Sequence, residues 1–344
     1  MKNEVLSPHE PRDLSFDKLL PASPDRILNI NFYCHSDLVL ATPSIIKIIP
    51  YFGQWPEWFD LYLLSCEYNP DIDWVFYTDC AQPKHSPENV RFVQLSFADY
   101  KKLVSQRLGI KFNPSSPYKL CDLKPAYGFI HSEDIQGYDF FAIGDIDIIY
   151  GQIRQFITDE MLEEYDVIGT HSRRLSGHFS LFRNTEQNRE AFRKIPDWQQ
   201  LMTADHHIGI DESKFSKIFV RHKNHPLWLR KVWSLTSPYQ RRVLFKEQYS
   251  TILSPIPWCD GRMDHPQNWL WRDGHLFNDR DDREFMYLHF MNWKSSRWLP
   301  KSIRDNGAAW EKLDELVHID TRTAKLSGFQ ISPNGFTQIE SEFR

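Results

Sequence analysis

From residue 44 onward the chain alternates between short β-branched runs and stretches whose apolar residues recur every three or four positions. Ser44-Ile-Ile-Lys-Ile-Ile-Pro50 reads as a first buried strand, stopped by Pro50 and followed by a Tyr51-Phe52-Gly53 loop. Trp55, Trp58, Phe59, Tyr62, Leu63 and Cys66 then fall at helical spacing, with Pro56 suited to a first helical turn. Asp73–Thr78 and Val90–Leu95 predict two more strands. Ser96, with Asp99 three residues on, marks the start of a helix that ends near Gly109. After a Pro/Ser turn, Asn113–Pro117, the stretch YKLCDLKPAYGFIH is expected to be helical from Cys121 onward in spite of Pro125. Tyr138–Gly151, YDFFAIGDIDIIYG, predicts a buried strand, Ile153 to Leu162 an amphipathic helix, and Asp166–Gly169 a short strand.

Strand–helix alternation of this kind implies an α/β fold with a mostly parallel central sheet covered by helices. In such sheets ligands bind beyond the carboxyl ends of the strands. The loops after the first and second strands and the acidic tripeptide Asp145-Ile146-Asp147 are therefore read as lining one nucleotide pocket. The second half is less regular. Gly177–Asn184, GHFSLFRN, predicts a strand entered through a glycine, and Asp211–Phe219 opens with two acids and continues at helical spacing. Residues 223–284, rich in Trp, Arg, Asp and Pro, read as loops, and Phe285–Phe290 as an apolar strand carrying His289. Upstream, Pro8, Pro11, Pro21 and Pro24 break up any long element, leaving Ile27–Tyr33 for one short strand. Residues 1–43 are taken as an N-terminal extension, 44–300 as one domain, and 301–344 as a short helix (Ala308–Val317) with a polar tail.

The apolar residues Phe140–Ile143 and Ile148–Tyr150 suit a central strand covered on both faces, but the two carboxylates between them do not. Charged side chains are rarely buried unless paired or bound to a cation. On extended backbone, residues i and i+2 point the same way, so Asp145 and Asp147 can aim at one point. Hard divalent cations that carry phosphates take oxygen-rich ligand sets of this kind. A metal and a diphosphate are expected at the end of this strand. Taken alone, the tripeptide would suit an acidic turn with two solvated carboxylates equally well; its position inside an apolar run favours the metal.

Composition removes other classes. The 344 residues are 41% hydrophobic and 15% aromatic, which is ample for a core. A net charge of −5 argues against a nucleic-acid binder, whose affinity rests on neutralising phosphates. No run approaches the ~18 apolar residues of a membrane span, and the first residues lack the apolar core of a signal peptide. Cys34, Cys66, Cys80, Cys121 and Cys259 are odd in number and widely spaced, which fits reduced thiols in a cytoplasmic protein and no structural zinc.

The order of nucleotide loop, Asp-x-Asp, glycine-led strand, acidic helix start and late histidine resembles the GT-A class of nucleotide-sugar-dependent glycosyltransferases. More narrowly, PYFGQWPEWFDLYLLSC, WVFYTDC, YKLCDLKPAYG, GDIDIIYG, GHFSLFRN and YLHFMNWK look like a family of bacterial proteins associated with capsule and O-antigen polysaccharide synthesis. The resemblance spans residues 44–300; the motifs are specific as a set and weak singly.

The resemblance implies a GT-A-like domain whose acceptor-side loops are residues 223–284, and a manganese or magnesium ion holding the diphosphate of a UDP-sugar. Asp147 is then the direct metal ligand, Asp145 lies nearer the ribose, His289 completes the metal shell, and Lys294 reaches the diphosphate as a point charge. Uridine contacts fall to Pro50, Tyr51, Phe52, Gly53, Thr78 and Asp79, although Asp79 equally suits capping of the next loop. Lys119, Asp122 and Lys124 match a cluster that touches nucleotide or donor sugar, with a solvated helix face as the equal alternative. Gly177 lets backbone approach the donor, and His178 either bonds a sugar hydroxyl or packs. Asp211 and Glu212 match the place of a general base that takes a proton from the acceptor hydroxyl, while ordinary capping explains an acidic helix start as well. His206 and His207 lie close by in sequence. The implied acceptor is a glycan or lipid-linked glycan, at the inner face of the membrane. The basic, aromatic stretch His222–Arg242 is read as ordinary surface, with peripheral membrane association as the alternative.

Two other functions fit part of the pattern. A nucleotidyltransferase also sets carboxylates and a metal on an α/β sheet, but wants a glycine-rich basic loop where this chain has YFGQWPEW. A non-catalytic carbohydrate-binding or scaffolding protein would use the twelve tryptophans to stack on sugars.

Overall fold

A computed structural model of the chain describes residues 42–220, 225–251, 266–280, 283–290 and 316–339. Residues 1–41, Lys294 and all but the last two residues of the expected helix Ala308–Val317 lie outside the described residues. What is described belongs to one unit beginning at Thr42.

Three parallel strands come first: β1 (Ile45–Pro50), β2 (Ile72–Thr78) and β3 (Val90–Gln94). Between them run α1 (Phe59–Glu67) and, after β3, α2 (Phe97–Leu108). The Ser96 side chain accepts from Asp99 N at one end of α2, and Gly109 closes the other at φ 66°. A 3-10 segment, Pro117–Ala126, leads into α3 (Tyr127–Ile130). The expected α-helix from Cys121 does not form until Tyr127, because Pro125 has no N–H to give. The chain then re-enters the sheet as β4 (Phe140–Gly144), leaves it as β5 (Ile148–Tyr150), and crosses α4 (Ile153–Phe156) and α5 (Asp159–Glu164). The expected single helix over Ile153–Leu162 is broken in two where Thr158 caps the second half. β6 (Val167–Gly169), β7 (Phe179–Arg183) and β8 (Val243–Phe245) complete a sheet of order β3-β2-β1-β4-β7-β6-β8. Only β7 runs against its neighbours, so the sheet is mostly parallel, as expected.

Both faces of the parallel strands are apolar and both are covered. Ile46, Ile48, Val75, Tyr77, Phe141 and Ile143 pack under α2 and the 3-10 segment. Ile45, Ile49, Trp74, Phe76, Phe140 and Ala142 pack under α1. This is the burial pattern of a parallel sheet, in which runs rather than alternation mark the strands.

The later residues hold more structure than loops and a polar tail. After α6 (Glu186–Arg189), α7 (Trp198–Thr203), α8 (Ser216–Phe219) and α9 (Leu227–Ser234) comes a hairpin of β9 (Trp269–Arg272) and β10 (His275–Asn278). β11 (Tyr287–His289) pairs antiparallel with β5, and α10 (Thr321–Ser327) precedes a second hairpin, β12 (Phe329–Ser332) and β13 (Gly335–Thr337). β9 pairs with both β10 and β12 to make a four-stranded sheet. Its turns are Asp273-Gly274 and Pro333-Asn334, with positive φ at Asp273, at Gly274 and at Gly335, the first residue of β13, where left-handed backbone joins twisted strands. Trp269 and Trp271 are wholly buried in this sheet with Leu61 and Leu64 of α1, which removes them as sugar-stacking surfaces.

A candidate site at the carboxyl edge of the sheet

Strand register brings the predicted site together. β2, β1 and β4 are neighbours and parallel, so Thr78, Pro50 and Gly144 end at one edge. β7 pairs antiparallel with β4, Gly144 opposite Phe179, so Gly177 and His178 enter from that same edge. Asp145 N donates to His178 O at 3.2 Å. The expected strand Tyr138–Gly151 is thus two strands in two sheets, and the acidic tripeptide is the hinge between them. The second sheet supplies the histidine, since β11 places His289 opposite Ile148.

Each carbonyl of the tripeptide is held by a different element. Lys47 Nζ donates to Asp145 O at 3.0 Å, Trp58 Nε1 to Ile146 O at 3.0 Å, and Phe290 N to Asp147 O at 3.1 Å. With the backbone fixed from three sides, the carboxylates lose little further freedom on gaining a ligand.

Asp145, Asp147 and His289 each offer one donor atom, and the three atoms lie within 4.8 Å of one another. His289 Nε2 stands 3.5 Å from Asp147 Oδ1, while Nδ1 is buried with no hydrogen-bond partner. Burial alone would raise the Asp147 pKa; the charges of His289 and Lys124 outweigh it and hold the group below its ordinary value. Behind the ring, His178 stacks on His289 at 4.1 Å, and its Nε2 lies 2.9 Å from Tyr287 Oη. Burial, then His289 and Lys124, push the His178 pKa well below its ordinary value, so it stays neutral. Two carboxylates with a partly unsatisfied imidazole fit manganese or magnesium, which take oxygen-rich sets with some nitrogen.

Lys124 joins this cluster to the predicted acids. Its Nζ lies 2.5 Å from Asp145 Oδ1, donates to Gly177 O at 2.8 Å, and stands 3.7 Å from Asp211 Oδ2. Burial would lower its pKa; Asp145, Cys121 and Asp211 more than offset that and keep it charged. Asp211 and Glu212 open a π-turn, Asp211–Phe215, rather than an ordinary first helical turn. Glu212 is tied down on both oxygens, accepting from Gly177 N at 2.9 Å and pairing with Arg174. Asp211 is buried and pushed up to about 6, first by burial and then, against Lys124, by Glu212 and Asp145. A Cβ on Gly177 would lie 2.7 Å from Asp211 Oδ2 and 3.2 Å from Glu212 Oε1, so only glycine fits there without displacing the acids.

Of the other predicted residues, Lys119, Asp122, Phe52 and Thr78 are buried in the frame. Lys119 and Asp122 form a fully buried ion pair. Lys119 also donates to Leu201 O and His206 O, and Asp122 accepts from the amides of Ile208, Gly209 and Ile210. Together they pin the loop that leads to Asp211. His207 sits edge-on to the exposed Tyr118, 3.4 Å from Asp122. Phe52 packs into the core against Phe97 and Tyr100. Thr78 Oγ1 accepts from Cys80 N at 3.0 Å, and Asp79 Oδ1 from Gly53 N at 2.8 Å. Tyr51 stacks on Trp55 beside them, its pKa raised to about 12 by burial, Cys80 and Asp147.

Lys47, Trp58 and Arg174 were not anticipated. Lys47 had a signal: it interrupts an apolar run just as the aspartates do. It is wholly buried, bonds Tyr150 Oη as well as Asp145 O, and burial pulls its pKa down to about 7 against the opposing charge of Asp145. Arg174 had none.

A family model described as a family of unknown function (DUF6625) matches residues 47–340. No curated protein matches the chain. Among solved structures, the chain is similar to the galactosyltransferase LgtC in complex with donor and acceptor sugar analogs, at 10% identity and TM-score 0.36, over 79% of this chain and 98% of that one. It is similar to a glycosyltransferase involved in glycosylation of the major capsid of PBCV-1, at 10% identity and TM-score 0.29, over 62% of this chain and 87% of that one. It is also similar to mouse xyloside xylosyltransferase 1, at 11% identity and TM-score 0.29, over 60% and 87%.

Proposed function

We propose that this chain, which belongs to the DUF6625 family of unknown function, is a metal-dependent GT-A glycosyltransferase. The observation that carries the reading is the convergence of Asp145, Asp147 and His289 at the carboxyl edge of a mostly parallel sheet, on a backbone bonded at every carbonyl of the tripeptide. Asp145, Asp147 and His289 would hold the cation, which when bound neutralises the departing diphosphate as a Lewis acid. The chain's own groups account for the rest. Tyr51, Gly53 and Asp79, at the ends of β1 and β2, form the wall for a base, with Thr78 buried behind them. Lys124 orients Asp145, and the motif resemblance assigns Lys294 to the diphosphate.

Asp211 is the group fitted to take the acceptor proton. It is buried, set near neutrality, and opposite Gly177, where backbone rather than a side chain faces it. Glu212 is spent on Arg174 and Gly177 N and positions the turn. The finer assignment, a UDP-linked donor and a growing bacterial surface glycan at the inner face of the membrane, rests on the motif resemblance. Incubation with UDP-sugars and manganese should release UDP from the native chain and not from Asp147→Ala with an unchanged melting temperature. Full release by that variant would remove the metal assignment.

A further inference from the structure

Among the described helices, α9 turns Leu227, Trp228 and Val232 outward. The most exposed large apolar side chains of the described residues include Leu227 at 77%, Trp228 at 69%, Val232 at 53% and Leu235 at 62%, all within nine consecutive positions. At ~3.6 residues per turn these four and Lys231 occupy one contiguous arc of roughly 140°. Leaving such a face in water is unfavourable unless something covers it.

The charge around this face is equally one-sided. Residues 213–246 hold nine of the chain's 41 Lys and Arg and none of its 46 Asp and Glu, although the whole chain is at −5. Arg241 donates to Leu235 O through Nη2 at 2.8 Å, which sets a guanidinium at the carboxyl end of the exposed arc. Among the described residues no carboxylate pairs with Arg230, Lys231 or Arg241, whereas Arg242 is held by Asp166 at 3.0 Å.

We infer that α9 with Leu235 and Arg241 is a docking surface for an anionic lipid bilayer, lying flat with Leu227, Trp228, Val232 and Leu235 in the headgroup–acyl boundary. A Trp and aliphatic face with a lysine inside it and, at its edge, cations that no described carboxylate pairs with is the make-up of an interfacial helix. A second copy of the chain is disfavoured as occupant because a self-complementary contact would press one uncompensated basic patch on another. Nucleic acid would engage the cations and leave the Leu, Val and Trp face in water. The inference stands apart from the transferase reading, since it invokes no residue of the metal site.

The test is sedimentation of the full chain with vesicles of phosphatidylcholine alone and of equal parts phosphatidylcholine and phosphatidylglycerol. The chain should pellet only with the second, and salt should release it. Trp228→Ser with Leu235→Ser should abolish pelleting with an unchanged melting temperature, and Lys231→Glu should weaken it roughly tenfold. The inference is overturned if the native chain stays in the supernatant with both vesicles, or if the double variant pellets as the native chain does. It is equally overturned if the double substitution instead dissociates a dimer, or if duplex DNA or RNA is bound and vesicles are not. The readout contains no turnover, so its failure and a failure of UDP release are separate results.

Discussion

Lys47 and Asp211 are two residues beside the site whose ionisation burial opposes. Lys47→Met keeps the buried volume and deletes the bonds to Asp145 O and Tyr150 Oη. Manganese affinity is expected to fall about tenfold while stability holds or rises, because a buried ammonium is costly. A manganese titration and a melt check both, and unchanged affinity would deny Lys47 its positioning role. For Asp211 the sign follows from a folded pKa near 6 against an ordinary 3.8. The folded state holds its proton longer, so this group's stabilisation is complete below pH 3.8 and is lost as pH rises through 6. Asp211→Asn should flatten the stability profile over that window, by up to about 3 kcal/mol at neutral pH, less what Lys124 loses. Urea midpoints across the window decide it. Native kcat/KM should rise through the same pKa. The aspartate pair is legible because charge inside an apolar run demands a reason, and Lys47 carries the same signal in Ile45–Pro50.

At the scale of elements, the close approach of β4 to β7 limits what Gly144 can become. A Cβ there would run into the His178 carbonyl and to 2.6 Å from Lys47 Nζ. Gly144→Ala should therefore destabilise by about 3 kcal/mol in denaturant titrations, since backbone cannot step aside. Gly177→Ala meets only the carboxylate ends of Asp211 and Glu212, so it should fold near-normally and lose turnover instead. Equal stability losses in the two variants would argue against that division. The parallel strands and α2 were readable, since β-branched runs and a Ser96–Asp99 cap are local signals. The Asp273-Gly274 and Asn334-Gly335 dipeptides were hairpin signals too, hidden because the strands they join are short. The pairing of β5 with β11, which sets His289 beside Asp147, has no local signature at all.

Over the whole molecule, the parallel strands put their carboxyl ends on one edge, and that edge collects both acids and the late histidine from two sheets. No described helix is long and apolar enough to cross a membrane. The same edge fixes the most direct measurement. A crystal soaked with manganese and UDP, read by anomalous scattering at the manganese edge, should show one strong peak among Asp145, Asp147 and His289, with the diphosphate against it. Bound UDP with no peak there, or a peak elsewhere on the molecule, would contradict the account.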